Sequence, residues 1–258
     1  MAPRKGTTAR RRTVKSKSFS SRIKEAGSNF LSRVRKVFSL KRIIAVFLVL
    51  GFLVAGLGVV YRFEAVHPVS TLMIGRVITG KPVDRQWVDL DAISNIMKYS
   101  VIMSEDGQFC AHRGVDWAEF RLVVDGALSG ERIRGASTLT MQTVKNLFLW
   151  NSRSYFRKVL EIPIAIYIDA LWSKKRILEV YLNIAEFGDG IFGVEAAAQT
   201  YFKTSAAKLG PRGSALLTSA LPNPLARNPA KPGRQHLRIA KIVQRRASKS
   251  GGYTGCVR

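Results

Sequence analysis

Apolar side chains are distributed along the chain in two different ways. Residues 43–61, IIAVFLVLGFLVAGLGVVY, form one apolar stretch of 19 residues without a charged side chain. That length is enough to cross the hydrocarbon core of a bilayer as one helix. The alternatives are a signal peptide and a buried core helix. The basic leader of 42 residues is too long for a signal peptide, and the stretch exceeds a usual signal core. We therefore predict a transmembrane helix over residues 43–61.

Downstream of residue 116, apolar positions recur at helical spacing. Asp116 can cap the first of these helices, Gly130 can end it, and Pro211 suits the first position of a later one. Residues 70–82 have no clear period, and they fit either a short strand pair or a segment that dips into the membrane surface. Strand signals are few. The pattern predicts a mostly α-helical domain, with helices over 117–129, 138–150, 154–172, 174–187, 194–202, 211–221 and 234–246.

Charge changes the picture through its location. The chain of 258 residues has a formal net charge of +25, which by itself suggests nucleic acid or an anionic membrane as partner. Residues 1–42 hold 14 of the 42 basic side chains and one acidic side chain, Glu25. This composition predicts a basic, disordered arm. By the positive-inside rule the arm stays in the cytoplasm and the chain beyond residue 61 is exported. In a bacterium that places the domain on the periplasmic side of the inner membrane.

Composition also excludes several classes of protein. A content of 47% hydrophobic residues excludes a disordered polybasic protein, and a single long apolar run excludes a polytopic membrane protein. Two cysteines are too few for a disulfide framework or a four-cysteine zinc site. Cys110 and Cys256 could pair in an oxidising compartment, but nothing in the sequence gives a reason to expect it.

Three segments hold side chains that suit catalysis. The first, 104–117, contains Glu105, Asp106, Phe109 and His112. It fits a solvated loop with a capping aspartate equally well. For catalysis, partial burial of Glu105 would raise its pKa and make it a general base.

The other two segments contain possible anion-binding groups. Residues 134–146 begin with Gly135 and continue with Ser137, Thr138, Gln142, Lys145 and Asn146. They fit an ordinary capped helix or a phosphate site at a helix start. Residues 156–163 contain Arg157, Lys158 and Glu161, which fit a surface ion pair or a carboxylate among phosphate-binding cations.

The order of these segments carries a resemblance. The pattern E-D-x-x-F-x-x-H-x-G is complete from Glu105 to Gly114, and R-K-x-x-E is complete from Arg157 to Glu161. The pattern G-x-S-T-I-T-Q-Q-x-x-K-N departs only at Leu139 and Met141, while K-x-x-I-L-E-x-Y-L-N is complete from Lys174 to Asn183. A loose late element is approximated by Arg238, Ile242 and Val243. Together, over about residues 95–245, the set resembles the peptidoglycan glycosyltransferase family, which polymerises lipid II.

The resemblance implies a fold and a domain order. The expected fold is mostly α, with a single N-terminal transmembrane helix, a lysozyme-like helical glycosyltransferase domain and a smaller membrane-proximal lobe. We expect the basic arm over 1–42, the lobe or linker over 62–94, the glycosyltransferase domain over 95–246 and a tail over 247–258. The monofunctional branch of the family is the closest match, because the residues after the last helix are too few for a transpeptidase domain.

The resemblance also implies the reaction and its residues. Glu105 and Glu161 are expected to be catalytic, with Glu105 as the general base. A divalent cation such as Mg²⁺ is a possible cofactor, and no protein metal ligands are predicted. The expected partners are lipid II, the growing glycan strand, the bilayer through residues 43–61 and other cell-wall synthesis proteins, without nucleic acid. The expected substrate-binding residues are Asp106, Phe109, His112, Ser137, Thr138, Gln142, Lys145, Asn146, Arg157 and Lys158.

Two other functions compete with this hypothesis. A lysozyme-like lytic enzyme would cleave finished glycan strands, but it must protonate a glycosidic oxygen and needs no phosphate site. A membrane-tethered DNA-binding protein would use the basic arm, but the motifs that carry chemistry lie elsewhere in the chain. In the main hypothesis Glu179 and Asn183 support the site or the scaffold, with a scaffold role favoured.

Overall fold

The structure, a computed structural model, describes residues 40–130, 137–152 and 154–258. The chain consists of two compact units, and the boundary in the sequence falls between Leu53 and Val54. Helix α1 (Leu40–Tyr61) has a mean hydropathy of 3.0 in its most apolar window, 6% of which is buried, so it is long and apolar enough to cross a membrane. It begins before the predicted start at residue 43, and Lys41 and Arg42 are therefore part of the helix. The remainder of the predicted arm, 1–39, lies outside the described residues, as does Gly135 of the second motif.

Nine further helices lie in the described part of the second unit. The prediction of a mostly α-helical chain is confirmed. Their bounds are α2 (Thr71–Ile78), α3 (Asn95–Glu105), α4 (Trp117–Leu128), α5 (Leu139–Phe148), α6 (Tyr155–Leu171), α7 (Lys174–Ile184), α8 (Val194–Phe202), α9 (Pro211–Ala220) and α10 (Arg234–Ala247).

Short-range capping explains why many of these helices begin where they do. Asp116 Oδ1 accepts hydrogen bonds from the first free amides of α4, and Pro211 occupies the first turn of α9. A serine or threonine before a helix accepts a hydrogen bond from an otherwise unpaired amide in the first turn. Such caps precede α3, α5, α6 and α7, and the capping residues are Ser94, Thr138, Ser154 and Ser173.

The structure corrects three predictions of secondary structure. Residues 71–78 are helix α2, capped by Ser70, so the strand-pair reading of 70–82 is wrong. Helix α7 ends at Ile184, because residues 186–188 form a strand. Helix α3, which contains Glu105, has no counterpart among the predicted helices. Its amphipathic pattern is weak because polar Lys98 and Ser100 are buried along with its apolar residues.

A small sheet and one large core hold the helices together. Strand β1 (Asp84–Arg85) pairs in parallel with β3 (Ile191–Phe192), and β3 pairs antiparallel with β2 (Glu186–Gly188). Helix α7 is the central element, because every residue from Arg176 to Ile184 is buried. Helix α5 contributes Leu139, Met141, Val144 and Leu147 to the same apolar core. Helix α5, which carries the second motif, therefore packs against α7 in a single core.

Arg176 ties α7 to the segment after α1. Its guanidinium donates to the carbonyl oxygens of Tyr61 (3.0 Å) and Phe63 (2.9 Å) and forms an ion pair with Glu179. The side chain of Asn183 exchanges two hydrogen bonds with the backbone of Val88. The scaffold role favoured for Glu179 and Asn183 is what these contacts provide.

Candidate active site

Glu105 lies at the last position of α3, where the helix opens into a loop. Its carboxylate is partly enclosed, and Gln142 Nε2 of α5 donates a hydrogen bond of 3.2 Å to its Oε2. Burial raises the pKa of Glu105, while the hydrogen bond from Gln142 and the positive charge of Lys145 act in the opposite direction. A carboxyl group with a raised pKa is a better proton acceptor near neutral pH than an ordinary glutamate.

Tyr181 fixes the amide that faces Glu105. Its hydroxyl donates to Gln142 Oε1 over 3.0 Å, so that Gln142 Nε2 is turned toward the carboxylate. Burial raises the pKa of Tyr181 well above its ordinary value, and it therefore remains a protonated donor. Tyr181, Gln142 and Glu105 form a hydrogen-bonded chain from the core to the base. Sequence reasoning placed Tyr181 in the scaffold motif and missed this role.

Asp106 connects the loop after α3 to the start of α5. Its carboxylate accepts from the backbone amide of Leu139 (2.8 Å) and is paired with His112 Nε2 at 2.9 Å. The carbonyl of His112 in turn accepts from Lys174 Nζ over 2.8 Å. This network holds the loop, and with it the orientation of Glu105.

Three further residues that were expected to bind substrate have buried side chains in the structure. Phe109 is fully buried in the core, and the His112 side chain is buried against Asp106, so neither offers a surface to a ligand. Thr138 is also buried, with its hydroxyl donating to the carbonyl of Gly114 over 2.6 Å while it caps α5. These residues position the loop. Residues of a catalytic motif can therefore fix the turn beside the catalytic side chain without contacting a ligand themselves.

Gly114 shows how tightly this turn is packed. Its φ is +81°, and a Cβ added there would lie 2.6 Å from the carbonyl oxygen of Ala165 in α6. Only glycine suits both the left-handed backbone and the close approach.

A cluster of cations faces the same region from α5 and α6. Lys158 Nζ lies 2.9 Å from Glu161 Oε2 and donates to Ser137 Oγ over 2.8 Å. Arg157 forms an ion pair with the other oxygen of Glu161, which is 2% exposed. The interpretation of Arg157 and Glu161 as a mere surface ion pair is wrong, because the carboxylate is buried between two cations.

Burial and neighbouring positive charges lower the pKa of the lysines in this cluster. Burial, with help from Arg157 and Lys145, lowers the pKa of Lys158 to about 8. Burial likewise lowers the pKa of Lys145. The charge of Arg157 lowers this pKa further, whereas the charge of Glu105 raises it. Cations held near each other at this cost are arranged to receive an anion.

Two cavities lie on either side of the Glu105–Gln142 hydrogen bond. The larger, about 600 Å³, is lined by Glu105, Asp106, Ser137 and Thr138 among others. The smaller, about 180 Å³, is lined by Gln142, Lys145, Asn146, Tyr181 and Glu186 among others. Ser137 and Thr138 therefore line a different cavity from Gln142 and Asn146. Glu105 lines the larger cavity and Gln142 lines the smaller one, so their hydrogen bond joins the two compartments.

The donor set does not suit a resident divalent cation. Among the residues that the structure describes, there is no group of three or more His, Cys, Asp or Glu side chains that could hold a metal ion. Both oxygens of Glu161 are already paired with Arg157 and Lys158. The divalent cation stays a prediction, and no step proposed below uses it.

Comparison with known proteins identifies the family of this site. Residues 72–248 match the family model described as Transglycosylase. The chain belongs to the transglycosylase family. The match begins at residue 72, so all of α2 but Thr71 lies inside the matched region.

Individual relatives cover nearly the whole of this transglycosylase. It is 52% identical over 225 residues to the biosynthetic peptidoglycan transglycosylase of Rhizobium meliloti (strain 1021), covering 86% of this chain and 95% of that protein. It is 57% identical over 213 residues to the protein of the same name from Brucella suis biovar 1 (strain 1330), covering 83% and 95%. The protein of that name from Agrobacterium fabrum (strain C58 / ATCC 33970) is 55% identical over 217 residues, covering 84% and 96%.

The resemblance expected from the four motifs is confirmed, and with it the enzyme class, a peptidoglycan glycosyltransferase. The names of these relatives describe biosynthesis, so the lytic alternative is not favoured.

Proposed function

We propose that this transglycosylase polymerises lipid II into β-1,4-linked glycan strands with release of undecaprenyl diphosphate, and that Glu105 is its general base. The observation that carries the proposal is the position of Glu105: its carboxylate, whose pKa is raised by burial, lines the larger cavity and is hydrogen-bonded to Gln142 of the smaller cavity, which also contains the cation Lys145. A transfer reaction needs two bound substrates, and two compartments joined by the Glu105–Gln142 hydrogen bond meet that need.

The first step assigned to the chain is proton removal. The 4-hydroxyl of the acceptor N-acetylglucosamine attacks the anomeric carbon of the donor sugar, and Glu105 takes the hydroxyl proton as the new C–O bond forms. Gln142 and Tyr181 hold the carboxylate in place for this transfer. Attack from the face opposite the leaving group inverts the α-linked diphosphate to a β-glycoside.

The second requirement is stabilisation of the leaving diphosphate. As the anomeric C–O bond breaks, the electron pair leaves with the diphosphate oxygen, and its negative charge needs fixed positive charge nearby. Lys145, Lys158 and Arg157 provide it, and Glu161 holds Arg157 and Lys158 in position. We assign Glu161 to this positioning task, with Ser137 and Asn146 as ligand contacts in their respective cavities.

The lytic alternative needs different chemistry at the second carboxylate. A glycoside hydrolase uses a protonated carboxylic acid to donate to the leaving oxygen. Glu161 is the second carboxylate of the cluster, and its ion pairs with Arg157 and Lys158 favour the ionised form. The cluster therefore supports diphosphate departure better than glycoside protonation.

We further propose where the enzyme works. Helix α1 would anchor the chain in the inner membrane in a single pass, with the basic N-terminal residues in the cytoplasm and the catalytic domain in the periplasm. Its partners would be the lipid-linked substrate, the glycan strand, the bilayer and other cell-wall synthesis proteins. Nucleic acid has no role in this assignment.

The test is polymerisation of lipid II by the purified protein, with Glu105→Gln and the exposed control Glu64→Gln beside it. We expect Glu105→Gln to lose about 10²- to 10⁴-fold in rate while lipid II binding and thermal unfolding stay unchanged. Glu64→Gln should behave like the wild type. Near-normal polymerisation by Glu105→Gln would refute the general base, and cleavage of finished glycan without chain growth would overturn the function.

A further inference from the structure

Residues 248–258 follow α10, and all but the first lie beyond the matched family region, which ends at residue 248. They were expected to form a tail, yet they are packed on the domain. Ser250, Thr254 and Val257 are 4%, 0% and 2% exposed, and Val257 belongs to the main core. The turn of 3₁₀ helix at Gly255–Val257 packs against α7. The segment is therefore a built part of the structure.

A disulfide joins this segment to the catalytic loop. Cys110 and Cys256 are bonded across 146 residues of sequence, and the backbone amide of Cys256 also lies 3.3 Å from Cys110 Sγ. Cys110 follows Glu105 by five residues in the same loop. Glu105 is therefore connected to residues 248–258 through a short loop and one disulfide bond.

The segment forms part of the wall of the Glu105 cavity. Tyr253 lines the larger cavity together with Glu105 and with Arg246 of α10. Tyr253 is 46% exposed, so its ring is available to a ligand while its backbone is held by a hydrogen bond to Ser250. A tyrosine ring offers an apolar face and a hydroxyl, which together suit a sugar ring with its apolar face and polar rim.

We propose that the Cys110–Cys256 disulfide makes residues 248–258 a wall of the Glu105 cavity, and that Tyr253 contacts a sugar of the lipid-linked substrate there. This inference rests on the proposed function, because the ligand is the substrate of that reaction. It extends the site beyond the four motifs to a residue that none of them contains. It also makes substrate binding depend on the redox state of two cysteines.

The competing explanation is a disulfide that only stabilises the fold. Both explanations predict that loss of the bond lowers the melting temperature. Only the explanation in which residues 248–258 form a cavity wall predicts that loss of the disulfide raises KM at a temperature where the protein is folded. It also predicts non-additivity, because a displaced segment no longer brings Tyr253 to the cavity.

The experiment measures KM and kcat for lipid II on the full chain. The variants are Tyr253→Ala, Tyr253→Phe, Cys110→Ala/Cys256→Ala and the triple combination, with the exposed Tyr155→Ala as a matched control. Wild type is also assayed after mild reduction, and thiol alkylation followed by mass measurement reports whether the cysteines are bonded. Melting temperatures show that each assay is run on folded protein.

We expect Tyr253→Ala to raise KM about tenfold with kcat within about twofold, the size of one lost contact of roughly 1.4 kcal/mol. Tyr253→Phe should have a smaller effect, and Tyr155→Ala none. Reduction and the double cysteine variant should raise KM in the same direction, and the triple variant should be no worse than Tyr253→Ala.

Several outcomes would overturn the inference. One is an unchanged KM in Tyr253→Ala and in the double cysteine variant while only the melting temperature falls. Another is free thiols in protein purified from an oxidising compartment. Additive effects in the triple variant would mean that the disulfide does not hold Tyr253. If wild type polymerises lipid II and Glu105→Gln does not, these outcomes refute this inference and leave the proposed function standing. A wild type that does not polymerise lipid II would refute both proposals.

Discussion

Gln142 donates its side-chain amide to Glu105 across the boundary between two cavities, over 3.2 Å, while its carbonyl accepts from the buried Tyr181 hydroxyl. This relationship controls how readily Glu105 ionises. A hydrogen bond donated to a carboxylate favours the charged form and lowers its pKa. In Glu105 that effect opposes the larger one of burial.

Gln142→Leu should therefore move the acidic limb of the kcat/KM profile to higher pH. Without the amide donor the pKa of Glu105 rises further, and the base must be ionised to act. The pH profile of lipid II polymerisation measures this. Gln199→Leu is a matched control, because Gln199 makes a similar 2.9 Å bond to Glu195 but lines neither cavity of the site. An acidic limb that stays in place or moves to lower pH in Gln142→Leu would contradict the assignment.

Lys158 should set the alkaline limb of the same profile. Its pKa is lowered to about 8 by burial, Arg157 and Lys145, so its positive charge is present below that pH and lost above it. Activity in kcat/KM, which reports the free enzyme, should fall through about pH 8. Lys158→Arg should shift the alkaline limb to higher pH, because a guanidinium keeps its proton. Below pH 8 this variant should lose no more than about tenfold in kcat/KM.

The control for Lys158→Arg is the same exchange at the exposed Lys241, which should leave the profile unchanged. If Lys158→Arg leaves the alkaline limb at the wild-type pH, another group is responsible for it.

Asp106→Ala should destabilise the domain by roughly 2–3 kcal/mol. The change removes an acceptor from His112 Nε2 and leaves the amide of Leu139 without its partner at the start of α5. For a domain of this size that corresponds to a melting temperature lower by about 4–12 °C, measured by calorimetry. Asp189→Ala serves as comparison: its side chain is 80% exposed in an ion pair with Arg76, and less than about 1 kcal/mol should be lost. Equal losses in both variants would rule out the loop-anchoring role.

Met141→Gln should be tolerated by the activity assay and cost stability only modestly, about 1 kcal/mol. Met141 is fully buried, but its Sδ lies 4.0 Å from Lys158 Nζ, so a glutamine there gains a donor within reach. Met97 is equally buried in the core, so Met97→Gln should lose clearly more stability, about 2–3 kcal/mol. Urea unfolding and polymerisation rates measure the two effects. A severe loss of activity in Met141→Gln would mean that the start of α5 is packed differently from the family pattern.

Much of the secondary structure follows from local signals. Asp116 and Pro211 mark helix starts that the structure reproduces, because each acts on the first turn that follows it. Helices α2 and α3 are not predicted from the sequence, although Ser70 and Ser94 cap them, because their apolar periodicity is weak. In α2 a glycine and several β-branched residues weaken the pattern, and packing of Met73 together with the hydrogen bonds of Thr71 to α5 stabilises it.

The sequence by itself determined which chemical groups this protein has and in what order: an apolar span, a glutamate motif, a cationic motif and a scaffold motif. Tertiary structure alone decided how they are used. It buried Phe109 in the core, aimed Gln142 at Glu105 through Tyr181, and enclosed Glu161 between two cations. It also bonded Cys256 to Cys110 across 146 residues. The physical reason is range: helix caps and apolar periods act over a few residues, whereas burial, pKa and cavity walls depend on groups that meet only in the folded chain.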